Sequence, residues 1–143
     1  MTSTLHAGIT HAISLTVDDR LTVPAVSAAF TGFTDMPPVF ATAYMVGFIE
    51  WACVEALRPH LAADRQTVGT HVDVSHVSAT PVGLTVTAEV ELIAVEGRRL
   101  RFAVACRDDA GPIGHGFHER AIIDPPRLRA LVAKKASEAA FVR

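Results

Sequence analysis

A chain of 143 residues, half of them hydrophobic and a fifth charged, has the size of one domain with a full core, which excludes a two-domain cofactor enzyme and a disordered chain. Thirteen basic residues against fifteen acidic ones leave a formal charge of −2. The densest basic stretch, Arg98-Arg99-Leu100-Arg101, is too short to track duplex phosphates or an anionic bilayer. Cys53 and Cys106 stand alone in apolar runs, which excludes zinc-knuckle and C-x-x-C redox chemistry. Met1 to Ile9 lacks a charged region followed by an apolar one, so no signal peptide is expected. The longest apolar run is broken by Glu50 and is too short for a bilayer. The expectation is a soluble, cytoplasmic protein without nucleic-acid or membrane partners, one domain over 1–143 with a peripheral tail from about 125.

In chain order, His11 to Val17 alternates polar and apolar as a half-buried strand does. Asp18-Asp19-Arg20 breaks the pattern. Pro24, Gly32 and the small residues between Val23 and Met36 predict a short helix and a mobile loop that exposes Phe30 and Phe33. Asp35 and Pro37-Pro38 predict a helix start, because a proline in the first turn loses no hydrogen bond. Val39 to Leu57 then runs apolar on nearly every face, as a helix in the middle of a domain would. Arg58, Pro59 and His60 close it.

The period then changes to two. Thr67 to Thr80, Leu84 to Val95, Arg99 to Arg107 and Ile113 to Ile123 alternate as strands. Turns at Pro81-Val82-Gly83, Glu96-Gly97 and Asp108 to Gly111 are short enough to require antiparallel pairing. After Pro125-Pro126 an Ala-, Leu- and Lys-rich segment predicts a loose surface helix. The expected fold class is α+β, an antiparallel five-stranded sheet curled around the long central helix. A cone-shaped α+β barrel is the other solution.

Three polar residues are candidates for chemistry. Glu50 interrupts the apolar helix, where an unpartnered carboxylate would lose several kcal/mol of hydration. It must be paired, protonated, or facing a cavity or a subunit interface, and a purely structural carboxylate is the plain alternative. Thr42 lies in the opening turn, roughly 80° and just over two turns from Glu50, so both can border one pocket. Free N–H groups there favour a developing negative charge, while a threonine bonded to the preceding turn is the bland reading. His76 shares a strand face with Val68, Val72 and Val74, with Gly69, His71, Asp73 and Ser75 on the other. An imidazole beside a carboxylate and a hydroxyl is a general acid–base set, although a lone core histidine is commoner.

The weaker signals are His71 with Asp73 and His115 with His118, neither of which has a third metal ligand at a recognisable spacing, so no metal is expected. Gly114 and Gly116 suggest close approach of a ligand or another backbone. Arg120 and His118 share their face, and a polar ligand or an ordinary salt bridge can account for Arg120. Arg98, Arg99 and Arg101 flank a hairpin tip, where solvation is the default.

Val39-Phe40-Ala41-Thr42, Met45-Val46-Gly47, Glu50-Trp51-Ala52-Cys53, Gly69-Thr70, the stretch from Ala79-Thr80-Pro81 to Thr87, Val95-Glu96-Gly97-Arg98-Arg99-Leu100 and His118-Glu119-Arg120-Ala121, in this order, resemble the fluoroacetyl-CoA thioesterase family from about His11 to Asp124. The resemblance implies a hot-dog fold, a homodimer, and hydrolysis of small acyl-CoA thioesters. It implies that Thr42, Glu50 and His76 form the catalytic set, and that Gly69 and Arg120 line the acyl pocket. The family's lid carries two phenylalanines. Phe33 matches one, and Met36, a flexible thioether, stands at the other position. Val39, Phe40, Val46 and Trp51 are possible further lining. A thioester is already an activated electrophile, so no cofactor is expected beyond the coenzyme A of the substrate. An acyl-CoA hydratase or dehydratase, and a non-catalytic acyl-CoA-binding module, are the alternatives on this fold.

Overall fold

The computed structural model describes residues 4–142; the ends of the expected domain, residues 1–3 and 143, lie outside them. Strands β1 (Thr10–Thr16), β2 (Gln66–His76), β3 (Thr85–Glu96), β4 (Arg99–Asp108) and β5 (Gly111–Ile123) form one antiparallel sheet in the order β1-β3-β4-β5-β2. Helix α1 (Thr42–Leu57) lies between β1 and β2 in sequence and packs across one face of the sheet. The α+β arrangement is thus the expected one, with both outer strands flanking the helix in the chain.

The alternation that predicts the strands is also what builds the core. Val86, Ala88, Val90 and Leu92 of β3 and Leu100, Phe102, Val104 and Cys106 of β4 are buried every second residue. They meet Met45, Phe48, Ile49, Ala52, Cys53, Ala56 and Leu57 of α1. The Gly97 turn between β3 and β4 needs a left-handed residue, and Gly97 has φ +63°.

Three expectations are corrected. The central helix starts at Thr42 rather than near Pro37, because Val39 and Phe40 pair in extended form with Pro81 and Thr22, and Ala41 is the N-cap. Its apolar surface is not enclosed all round: Ala43, Gly47 and Trp51, spaced by four, form an exposed stripe opposite the core face. Strand β2 ends at His76, so Val77 to Thr80 lie beyond it.

Between β1 and α1, the loop 24–38 is closed at its base by a hydrogen bond of 3.0 Å from Val23 N–H to the Val39 carbonyl. Inside it, three successive turns end at Phe30, Phe33 and Met36. After β5 the tail forms α2 (Pro125–Val142), which exposes Leu131 and Val132, so the expected surface helix is present.

Candidate active site

Thr42 is the first residue of α1, and the N-cap Ala41 has no side chain able to bond the helix end. The first N–H groups of an α-helix have no acceptor within it, so they and the helix dipole favour an anion beside Thr42. His76, the last residue of β2, reaches this point. Thr42 Oγ1 and His76 Nδ1 are 2.7 Å apart, a full hydrogen bond between a helix start and a strand end. The other ring nitrogen, Nε2, is buried and has no hydrogen-bond partner among the described residues. Burial lowers the pKa of His76 from the ordinary 6.5, opposed in part by the Ser78 backbone, so the ring is neutral at pH 7. The pair opens on a cleft of about 260 Å³ lined by Val23, Val39, Phe40, Val77, Ser78 and Ala79. Both ends of the 24–38 loop base, Val23 and Val39, are in this wall.

Glu50 belongs to a second cluster. Its Oε1 accepts a hydrogen bond of 2.9 Å from Nη1 of Arg120. Arg120 is 5% exposed and is held elsewhere by Thr67, whose Oγ1 accepts from Nε at 2.8 Å and whose carbonyl accepts from Nη2 at 2.9 Å. His118 Nε2 lies 3.2 Å from Arg120 Nη1 and 3.9 Å from Glu50 Oε1. Gly69 roofs the group. A Cβ there would come within 2.5 Å of Glu50 Oε1 and 3.4 Å of Arg120 Nη1, so the carboxylate occupies the space that a side chain would need. Cys53 lies close enough to feel both charges, but burial pushes its thiol up to about 12, which rules it out as a nucleophile at neutral pH.

Glu50 is therefore paired, with Arg120 rather than His76, although its side chain is not buried as the apolar run suggests but 41% exposed in a single copy. Thr42 and Glu50 are eight residues apart, about 12 Å along the helix axis. Within one chain Thr42 and His76 form one group, and Glu50, Gly69 and Arg120 form another.

The faces of β2 also differ from simple alternation. Opposed residues of antiparallel strands share a face, and Arg120, His118, Gly116 and Gly114 oppose Gly69, Val72, Val74 and His76. The register shift between Gly69 and His71 moves Gly69 onto the same face as His76, opposite to what strict alternation assigns. Gly114 and Gly116 answer to the neighbouring backbone, not a ligand. A Cβ at Gly114 would approach the Ser75 carbonyl to 2.7 Å, and one at Gly116 would run into the Asp73 carbonyl.

Thr67, which anchors Arg120, carries no signal in the sequence. Phe33 and Met36 stand on the 24–38 loop but not in the wall of the cleft. Phe30 supplies the second ring of that loop, packing edge-on against Phe33 at 5.5 Å between centroids. Val39 and Phe40 do line the cleft, whereas Val46 and Trp51 do not. Among the described residues no three His, Cys, Asp or Glu side chains gather as a metal set.

The family model described as fluoroacetyl-CoA-specific thioesterase matches residues 18–125, which hold both clusters and every strand of the sheet except β1. The chain belongs to this family. A fluoroacetyl-CoA thioesterase of Streptantibioticus cattleyicolor is 48% identical over 103 residues, 72% of this chain and 74% of that protein. A solved variant of the fluoroacetyl-CoA-specific thioesterase, in complex with fluoroacetate and CoA, is 41% identical. It superposes with a TM-score of 0.84 over 87% of this chain and 99% of that one. A hot-dog-like protein of Thermanaerovibrio acidaminovorans, 24% identical, has a TM-score of 0.76 over 90% of this chain and 91% of that one, a likeness of fold alone. The architecture is the hot-dog fold, and as a member of the fluoroacetyl-CoA-specific thioesterase family the protein is a thioester hydrolase.

Proposed function

We propose that the protein hydrolyses a short acyl-CoA to the free acid and CoA, and that Thr42, Glu50 and His76 carry the reaction in a site completed by a second copy of the chain. The observation that carries this reading is the Thr42–His76 hydrogen bond at the uncapped start of α1. It sets a neutral imidazole beside N–H donors suited to an oxyanion. Those donors polarise the thioester carbonyl, each worth roughly 3–4 kcal/mol in the transition state. His76 takes a proton from water as the water oxygen bonds to the carbonyl carbon. Collapse of the tetrahedral intermediate breaks the C–S bond, and the proton passes to the CoA sulfur.

Arg120 occupies only one oxygen of Glu50; Oε2 accepts no hydrogen bond among the described residues. Glu50 is thus free to orient the attacking water. A second course, attack by Glu50 itself, would give a mixed anhydride that water then opens. Gly69 and Arg120 would border the acyl group, and the loop with Phe33 and Met36 would close over it.

Two features support the second copy. The exposed stripe of Ala43, Gly47 and Trp51 is apolar, and Trp51 is 47% exposed. Strand β2 is a sheet edge with unpaired backbone groups and exposed Val72. Two-fold antiparallel pairing of β2 with itself would carry His76 of the partner subunit toward the Gln66–Gly69 end, above Glu50. This would unite the three residues that one chain keeps apart. We read residues 1–143 as one unit with α2 peripheral. No helix among the described residues is long and apolar enough to cross a membrane. The cytoplasm is the working place that a CoA substrate implies.

The test is a panel of short acyl-CoA esters, fluoroacetyl-CoA and acetyl-CoA included, followed with a thiol reagent. Release of free CoA is expected. A change at the acyl chain without thiol release would make the protein a hydratase. Tight binding that leaves every ester intact would make it a carrier.

A further inference from the structure

His118 has no part in the chemistry above, yet it is a buried polar group beside it, 1% exposed at the centre of β5. Its two ring nitrogens have partners that leave no choice of tautomer. Nδ1 is 2.7 Å from the carbonyl oxygen of His71, which can only accept, so Nδ1 carries the hydrogen. Nε2 is 3.2 Å from Arg120 Nη1, which can only donate, so Nε2 presents its lone pair. The groups facing the ring are Glu50 from α1, Arg120 on its own strand and His71 from β2.

We propose that His118, fixed as the neutral Nδ1–H tautomer, is a positioning residue that accepts one hydrogen of Arg120 Nη1 and so fixes the guanidinium where it meets Glu50 through one oxygen only. One Nη1 hydrogen goes to His118 Nε2 and the other to Glu50 Oε1 at 2.9 Å, while Nε–H and one Nη2 hydrogen are taken by Thr67. Arginine and carboxylate prefer a two-pronged pairing in which both oxygens are engaged. Four of the five N–H donors of Arg120 are engaged, three of them by His118 and Thr67, and these three contacts fix the guanidinium against turning to offer Glu50 a fork. With the guanidinium fixed in this orientation Glu50 is engaged through Oε1 alone, and its second oxygen is left for water or a thioester carbon. This inference rests on the thioesterase reading and assigns His118 a role in it.

The experiment compares two amides at this position. In H118N the amide stays near the site of Nδ1 and can serve the His71 carbonyl, but it falls short of Arg120. In H118Q the longer side chain brings an acceptor to the place of Nε2. If His118 positions Arg120, H118N loses about 10–100-fold in kcat with KM nearly unchanged, and H118Q recovers most of that loss. A role confined to packing predicts that activity follows melting temperature in both, with no advantage for glutamine. Equal kcat in H118N and the parent would also overturn the proposal.

Should both variants fail to fold, ring-nitrogen NMR of the parent still decides. The Nδ1–H neutral form of His118 near pH 7 is required, and the other tautomer or the cation would refute it. A parent that releases no CoA from any ester sinks the thioesterase reading instead. An active parent indifferent to position 118 sinks only this one.

Discussion

His76 and Gly69 show how one side chain, present or missing, sets the geometry of the candidate site. His76 is buried enough to stay neutral, with one nitrogen on Thr42 and the other unpartnered. Replacing it by alanine should lower kcat/KM by about two orders of magnitude or more. In the proposed mechanism its neutral form is the base, and burial lowers its pKa, so the neutral form persists to more acid pH than in an ordinary histidine. The acid limb of kcat/KM should accordingly lie below pH 6.5, the ordinary value, and vanish from the residual activity of the alanine variant. A limb above that value would contradict the burial argument. At Gly69 the missing side chain is what matters. The Cβ of Gly69→Ala would sit 2.5 Å from Glu50 Oε1, so the carboxylate must swing off Arg120. A displacement of about 1 Å at a reacting group can cost roughly a hundredfold, and a fall in kcat of that order is expected. Circular dichroism melting should change little, since the atom that yields is the end of a flexible chain.

Strand β2 shows how an element carries more than its alternation declares. Its register shift rotates Gly69 to the inner face, and it lies so close to β5 that Gly116 has no room for a side chain. Gly116 also has φ +154°, a conformation that other residues rarely adopt. Gly116→Ala should destabilise the fold by about 1–3 kcal/mol or more, read as a lower denaturation midpoint in urea. An unchanged midpoint would mean that the β2–β5 contact relaxes freely. Helix α1 makes the complementary point. Its near-uniform hydrophobicity reads as full enclosure, yet the sheet covers one side, and the remaining stripe is surface in a single copy.

For the whole molecule, the question is whether one copy holds a working site. Thr42 with His76, and Glu50 with Arg120, are separate groups about 12 Å apart along α1. If each site draws its histidine from the partner subunit, His76→Ala and Glu50→Gln chains should both be inactive alone. Random re-pairing would make half the dimers mixed, each with one intact site, and restore about a quarter of the parent rate. CoA release from the refolded mixture measures this. No recovery, in a sample shown to be dimeric, would confine each site to one chain.

Much of this was legible in the residues themselves. The order of elements, the antiparallel sheet and the buried faces follow from hydrophobic period and turn residues, which act over a few neighbours. Glu50 and His76 stand out because a polar group on an apolar face needs a reason wherever it lies. What such local rules miss is the identity of partners brought together by the sheet. That Glu50 meets Arg120 across 70 positions, that Thr67 anchors the same arginine, and that a bulge turns Gly69 inward depend on strand register. Register is set by the packing of all five strands on the helix, so no single segment of sequence contains it.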